Sequence, residues 1–204
     1  MPRIIKPAKG TFTTADITVD SSGRVIAAAS GSGGGGFDIP TAVSAYGPAS
    51  GTYTAGNNAN NASIFAASGS GGGGGGHSGF DNPGKSGGAG AFGYYLAPVS
   101  GGTGYSFNVG AAGNPGPGRQ SGGAGGATSV TNLATVNGGN GGGSQNTGFN
   151  VGNAGSAPGA TQNLAGGFLG TNPTSAGSGG SQSSDTPGNA GNAGALFIYE
   201  NSGS

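Results

Sequence analysis

The sequence predicts an all-β protein, a short-strand, jelly-roll-like β-sandwich combined with packed, glycine-rich polyproline II helices and long loops. Three observations lead there. Glycine supplies 53 of the 204 residues and much of it recurs at every third position. The stretches between are short, rich in β-branched and aromatic residues, and bounded by turn formers. Nowhere does a helical period persist, so no substantial α-helix is expected.

The glycine needs a structural reason. With 11 prolines it makes up 64 of 204 residues, a proportion that predicts disorder when it has no period. Ordering a glycine costs roughly 0.5–1 kcal/mol more than ordering an alanine, so a regular arrangement has to offset that cost many times over. Only 6% of the residues are charged, which argues against a solvated polyampholyte tail. Gly84, Gly87, Gly90 and Gly93 fall three apart, as do Gly73, Gly76 and Gly79, then Gly110, Gly113 and Gly116, and Gly188, Gly191 and Gly194. A period of three belongs to polyproline II, which has no internal hydrogen bonds; glycine at every third position lets such helices approach until their amides and carbonyls bond between neighbours. Collagen is excluded because the register is short and broken.

Taken in order, the chain opens with "MPRIIKPAKGTF", which has no apolar signal-peptide core, and no apolar run is long enough to span a membrane. The stretches "FTTADITVD" and "RVIAAA" around "SSG" predict a hairpin with Gly23 in the left-handed position of a three-residue loop. "DIPTAVSAY", "GTYT", "ASIFAA", "YYLAPV", "YSFNV", "TSVTNLATV" and "ALFIYE" predict strands. The organisation expected is an N-terminal arm and hairpin over 1–33, a connector over 34–43, a glycine-rich domain over 44–200 and a short tail over 201–204. Core packing is expected of Tyr94, Tyr105 and Phe107, because alternate strand residues must face inward.

"GFDNPGKS", residues 79–86, fits the phosphate-binding pattern G-x-x-x-x-G-K-[ST]. A phosphate loop needs a buried strand before its first glycine and a helix after its last residue, since the helix N-terminus supplies the amides. Polyglycine precedes this stretch and "GGAGAFG" follows it, so Lys85 is read as a solvated loop charge. One histidine, His77, and no cysteine leave catalytic triads and multi-ligand metal sites without partners, and the carboxylates are scattered singly. No enzymatic activity, catalytic residue, metal or cofactor is expected. Half of the six basic residues lie in the first nine positions; the rest are too few for nucleic-acid binding. Pro2, Arg3, Lys6, Pro7 and Lys9 form a candidate docking arm.

Four stretches then occur in a telling order: "GTYTAGNNANNASIFAASGSGGGGGG", "GGAGAFGYYLAPVSGGTGYSFNVGAAG", "GGAGGATSVTNLATVNGGNGGG" and "GNAGNAGALFIYE". Over roughly 44–200 the chain resembles the glycine-rich domains of tailed-bacteriophage virion proteins, and "GTFTTADITVDSSGRVIAAASGSGGG" looks like a hairpin unit near the N-termini of phage fibre and appendage proteins. The resemblance implies a β-sandwich carrying polyproline II helices, in a virion structural protein that is anchored by its N-terminus, contacts other virion proteins and is displayed on the extracellular particle. It implies host-surface adhesion to a glycan or protein and, by fibre precedent, a trimer; the modest apolar fraction, 32%, itself favours a homo-oligomer, and His77, Phe80, Asp81 and Phe168, placed in loops by the sequence, are the receptor-contact candidates. Two competing readings are an ice-binding protein, which needs a steady row of short side chains, and a silk-like extracellular filament or matrix component, which composition alone favours.

Overall fold

The computed structural model describes residues 15–19, 25–30, 41–76, 83–144, 150–163 and 186–202. The chain divides into a unit over Met1–Asp38 and a unit over Ile39–Ser204. In the first, β1 (Ala15–Val19) pairs antiparallel with β2 (Val25–Ser30) and the register shifts at Val19. This is the expected hairpin; Gly23 lies outside the described residues.

The second unit has no helix among its described residues and is built on two antiparallel sheets, so the fold is all-β. Nine strands form them: β3 (Thr41–Tyr46), β4 (Ala49–Thr54), β5 (Ala59–Ala67), β6 (Phe92–Pro98), β7 (Gly104–Val109), β8 (Thr128–Val130), β9 (Ala134–Val136), β10 (Gln162–Asn163) and β11 (Ala195–Ser202). The five-stranded sheet runs β10-β6-β5-β11-β3 and the four-stranded sheet β4-β7-β8-β9. Ile64, Tyr95, Leu196 and Ile198 from the first meet Tyr53, Val109, Val130 and Val136 from the second in one buried cluster, as strand alternation requires. Strand β3 begins inside the stretch read from sequence as a connector.

Two expectations are corrected. "TSVTNLATV" is two strands, because Asn132 takes a left-handed backbone (φ 61°) and turns the chain between β8 and β9; asparagine tolerates that conformation far better than a β-branched residue would. Tyr94 is not in the core. The register Phe65↔Tyr94 puts it on the outer face, half-buried with its ring 5.0 Å from Phe65, and Tyr95 takes the inward position. Tyr105 and Phe107 are half-buried and pack on the cluster, Tyr105 stacking 5.8 Å from Tyr53.

Each sheet hands its strands to an array of extended segments. Nine consecutive amides, Ser68 to Gly76, donate in strict rotation to three antiparallel neighbours. Ser68, Gly71 and Gly74 bond to carbonyls of Ala91, Gly88 and Lys85; Gly69, Gly72 and Gly75 to Gly126, Gly123 and Gln120; Ser70, Gly73 and Gly76 to Asn192, Asn189 and Thr186. A three-residue turn is the only helix that rotates its amides this way. Two parallel neighbours donate back: Gly113, Gly116 and Arg119 to Ser70, Gly73 and Gly76, and Gly139 and Gly142 to Gly69 and Gly72. Segment 68–76 is thus the axis of the array, surrounded by 83–91, 110–119, 120–127, 137–144 and 186–194, and 150–157 lies outside against 83–91 and 137–144.

Position in the array explains the glycine pattern. At the axis, a Cβ on Gly69, Gly72 or Gly75 would lie 2.0 Å from a carbonyl oxygen of 110–119, and one on Gly71 or Gly74 would lie 1.9 or 2.3 Å from a carbonyl of 137–144. The axis therefore reads as nearly pure glycine. In 120–127, Gly122 and Gly125 face the axis and Gly123 and Gly126 face 110–119, whereas Ala124 and Ala127 point to solvent, so the repeat is G-G-A. In 186–194 only Gly188, Gly191 and Gly194 meet neighbouring backbone, so the repeat is G-N-A. Positive φ is found at Gly102 and Gly159 among the described glycines, both in turns, so the array's glycines are selected for room and not for handedness.

Buried hydroxyls join strand to array. Ser68 Oγ donates to Asn137 O (2.8 Å) and accepts from Ala91 N (2.9 Å); Thr128 Oγ1 donates to Ala67 O (2.7 Å) and accepts from Gly110 N (2.9 Å). Ser70 Oγ accepts from Asn192 N at 2.7 Å. Ser68 and Thr128 lie where the backbone changes from a two-residue to a three-residue repeat and would otherwise leave groups unpaired, whereas Ser70 lies just inside the array.

Candidate functional site

The array gives the molecule two unlike ends. Residues 67/68, 91/92, 109/110, 127/128, 136/137 and 194/195 join it to the sheets, so its other end carries Gly76, Pro83, the Pro117–Gln120 turn, Ser144, Asn150 and Thr186. Bonds between segments hold these termini level: Gly76 N donates to Thr186 O, Arg119 N to Gly76 O, Gly75 N to Gln120 O, and Gly143 N to Asn150 O. In the turn, Gln120 N donates to Pro117 O at 2.9 Å and Arg119 sits at φ 68°. Buried Ser144 braces it, its Oγ donating to Arg119 O at 2.8 Å.

Among the described residues, two of the three charged side chains lie there. Lys85, Arg119 and Glu200 are the charged residues whose side chains the structure describes, and both bases belong to this end of the array. The candidate contact residues His77, Phe80 and Asp81, and Phe168, lie outside the described residues, as do the arm residues Pro2, Arg3, Lys6, Pro7 and Lys9. The described residues on either side of 77–82, Gly76 and Pro83, are at the platform end.

The phosphate-loop pattern is engaged otherwise. Gly84, Lys85 and Ser86 belong to the extended segment 83–91: Lys85 N donates to Gly143 O, Lys85 O accepts from Gly74 N and Ser86 O accepts from Gly152 N. No helix follows them to supply amides to a phosphate. Among the described residues no three His, Cys, Asp or Glu side chains come together.

Two tyrosines sit in perturbed surroundings. Tyr53 is 1% exposed and its hydroxyl lies beside the Glu200 carboxylate without a hydrogen bond of good geometry; burial, and then that carboxylate, raise its pKa well above the ordinary phenol value. Glu200 Oε1 in turn accepts from Gly56 N at 2.9 Å, tying β11 to the turn after β4. Burial also raises Tyr95, against the opposing effect of its bond to Thr135 O. Tyr95 floors a shallow cleft lined by Asn132, Leu133 and Pro158. Tyr53 has one carboxylate beside it, already bonded to Gly56 N, and Tyr95 bonds to a backbone carbonyl, so among the described residues neither is met by an acid–base pair or a nucleophile. Sequence reasoning missed the Tyr53–Glu200 contact, since 147 positions separate the two residues and nothing local couples them.

Neither a family model nor a curated protein matches the chain.

Proposed function

We propose that the chain is a non-enzymatic bacteriophage virion structural protein, a fibre or decoration subunit that is anchored through its N-terminal arm and displays the glycine-rich unit for contact with a host glycan or surface protein. One observation carries the reading: the seven extended segments end together on one platform, where bonds between neighbouring backbones hold them. A body with no cysteine, little charge and backbone bonds on every side of its axis suits a particle that persists outside cells. Anchoring is assigned to residues 1 to about 30 and contact to the loops that carry His77, Phe80, Asp81 and Phe168.

The test is incorporation. The full-length protein should be found in purified particles, and deleting residues 2–9 should abolish incorporation while the unit over 39–204 keeps its circular dichroism spectrum. Incorporation at the normal level after the deletion would remove the arm from the reading, and absence of the full-length chain from particles would remove the virion.

Ice binding remains as a second reading because of a specific surface. On segment 186–194 the Pro187, Ala190 and Ala193 row stands beside the Thr186, Asn189 and Asn192 row in unbroken three-residue register. Thermal hysteresis of the purified protein would favour that reading over adhesion.

A further inference from the structure

The two flanks of the sandwich are finished differently. On one flank the five-stranded sheet ends in β10 and the four-stranded sheet in β9, which is only three residues long. Short edges offer little template for another chain. On the other flank the five-stranded sheet ends in β3 and the four-stranded sheet in β4, each six residues long and joined only by Gly47 and Pro48. From Thr41 to Ala55 this flank has no charged residue, the commonest protection of a natural edge.

The register shows which groups β3 leaves open. It pairs with β11 as Ala45↔Leu196 and Val43↔Ile198, and the ladder begins with Gly47 N donating to Gly194 O at 3.0 Å. Hydrogen-bonded pairs alternate in an antiparallel ladder, so Gly47, Ala45 and Val43 turn their amides and carbonyls to β11. Ala42, Ser44 and Tyr46 turn theirs outward, and all three are exposed, Tyr46 by 60%.

We propose that this edge pairs with the same edge of a second copy, antiparallel across a two-fold axis through Ser44. The strand is complementary to itself in that register. Ser44 meets Ser44 of the partner subunit, while Ala42 and Tyr46 meet each other's counterparts, so every outward amide and carbonyl of the three finds a mate. Pro40 and Pro48 stand four residues to either side of Ser44. Pro48 has no N–H, so under the two-fold symmetry the ladder stops at the same distance in both directions. Large and small side chains also alternate to fit. The Tyr46 ring, already edge-on to Phe197 at 5.4 Å, faces the partner subunit's Ala42, whose methyl group leaves room for it and covers part of its exposed apolar surface. The occupant is a second copy because self-matching of this kind is what a two-fold interface requires, whereas a foreign peptide would need no symmetric placement of the prolines.

The inference does not rest on the virion reading and differs from the three-fold assembly that fibre precedent implies. Sedimentation equilibrium of the full chain should give twice the chain mass. Ser44→Lys places two ammonium groups across the axis and should weaken association at least tenfold, leaving the circular dichroism spectrum unchanged; Ala154→Lys, a charge added at an exposed array position, should leave the dimer intact. Because the chain has no cysteine, Ser44→Cys reports directly. Hydrogen-bonded partners stand about 5.5 Å apart at Cα, within disulfide reach, so mild oxidation should give a covalent dimer. A monomer at 100 μM, a trimer, or an oligomer indifferent to Ser44→Lys would each overturn the inference without touching the incorporation test.

Discussion

Replacing Gly72 by alanine tests whether the glycines are there for room. Gly72 lies at the axis, its N–H donating to Gly123 O and its carbonyl accepting from Gly142 N, both at 2.9 Å. An added Cβ would stand 2.0 Å from Asn114 O, 2.6 Å from the Asn114 carbonyl carbon and 2.9 Å from Gly113 O. Carbon–oxygen contacts of this kind settle at about 3.3–3.6 Å, so segments 68–76 and 110–119 would have to part by more than ~1 Å. A hydrogen bond stretched that far is lost. The bonds from Gly113 N to Ser70 O and from Gly116 N to Gly73 O cross the same gap, and those to Gly123 and from Gly142 would be strained. At about 1 kcal/mol for each net bond, and more for a buried group left unpaired, the loss is roughly 3–6 kcal/mol. The reduced freedom of alanine in the unfolded chain returns about 0.5–1 kcal/mol. A net destabilisation of about 2–5 kcal/mol is expected.

Gly123→Ala is the matched control. Its nearest contact would be Asn114 N at 3.2 Å, which a shift of a few tenths of an ångström relieves. Neither glycine has a positive φ and both free the unfolded chain equally, so the difference between the variants isolates the steric contact. Urea unfolding followed by circular dichroism measures both. If Gly72→Ala fell within about 1 kcal/mol of Gly123→Ala, room would not be what the array's glycines provide.

Tyr53→Phe should change stability by less than about 1 kcal/mol in thermal or urea unfolding, because the buried hydroxyl it deletes has only the Glu200 carboxylate beside it and no hydrogen bond of good geometry; a loss above about 1 kcal/mol would mean that the bond to Glu200 is well made. Stability should hold below about pH 10 and fall above it, since the unfolded chain gives up phenolic protons that folded Tyr53 and Tyr95 retain, and Tyr53→Phe should flatten that slope. Thr128→Val should cost about 2–3 kcal/mol, as it strands Ala67 O and Gly110 N at a strand-to-array junction; a cost below 0.5 kcal/mol would show that those groups find other partners. In native-state hydrogen exchange the amides of Gly69, Gly71, Gly72 and Gly74 should be among the slowest in the molecule, and exchange at random-coil rates would contradict the bonding rotation.

Much of the fold was legible in the chain. The phases of Gly84, Gly87 and Gly90, of Gly110, Gly113 and Gly116, and of Gly188, Gly191 and Gly194 mark the faces that meet neighbouring backbone. The strand stretches were legible because β-branched and aromatic residues alternate between turn formers. Gly93 shared the same spacing and belongs elsewhere: it is a strand residue whose Cβ position is taken by the Tyr95 ring and Ala157. Spacing alone could not separate a residue crowded by backbone from one crowded by a side chain. Nor could it choose between adjacent Tyr94 and Tyr95 for the core, because two equal neighbours satisfy the same alternation and the register of β6 on β5 breaks the tie.

The chain by itself determined that its glycine segments are extended, three residues to the turn, and close enough to touch, and the number of glycines per triplet even records how many sides of a segment are covered: nearly three at 68–76, two at 120–127, one at 186–194. Which segment lies beside which was decided only in three dimensions. The bonds that join them run from amide to carbonyl, and those groups are alike in every residue, so no side chain names the partner. The order comes from the sheets, where strands with distinct side chains pair in one register and deliver each segment to its place.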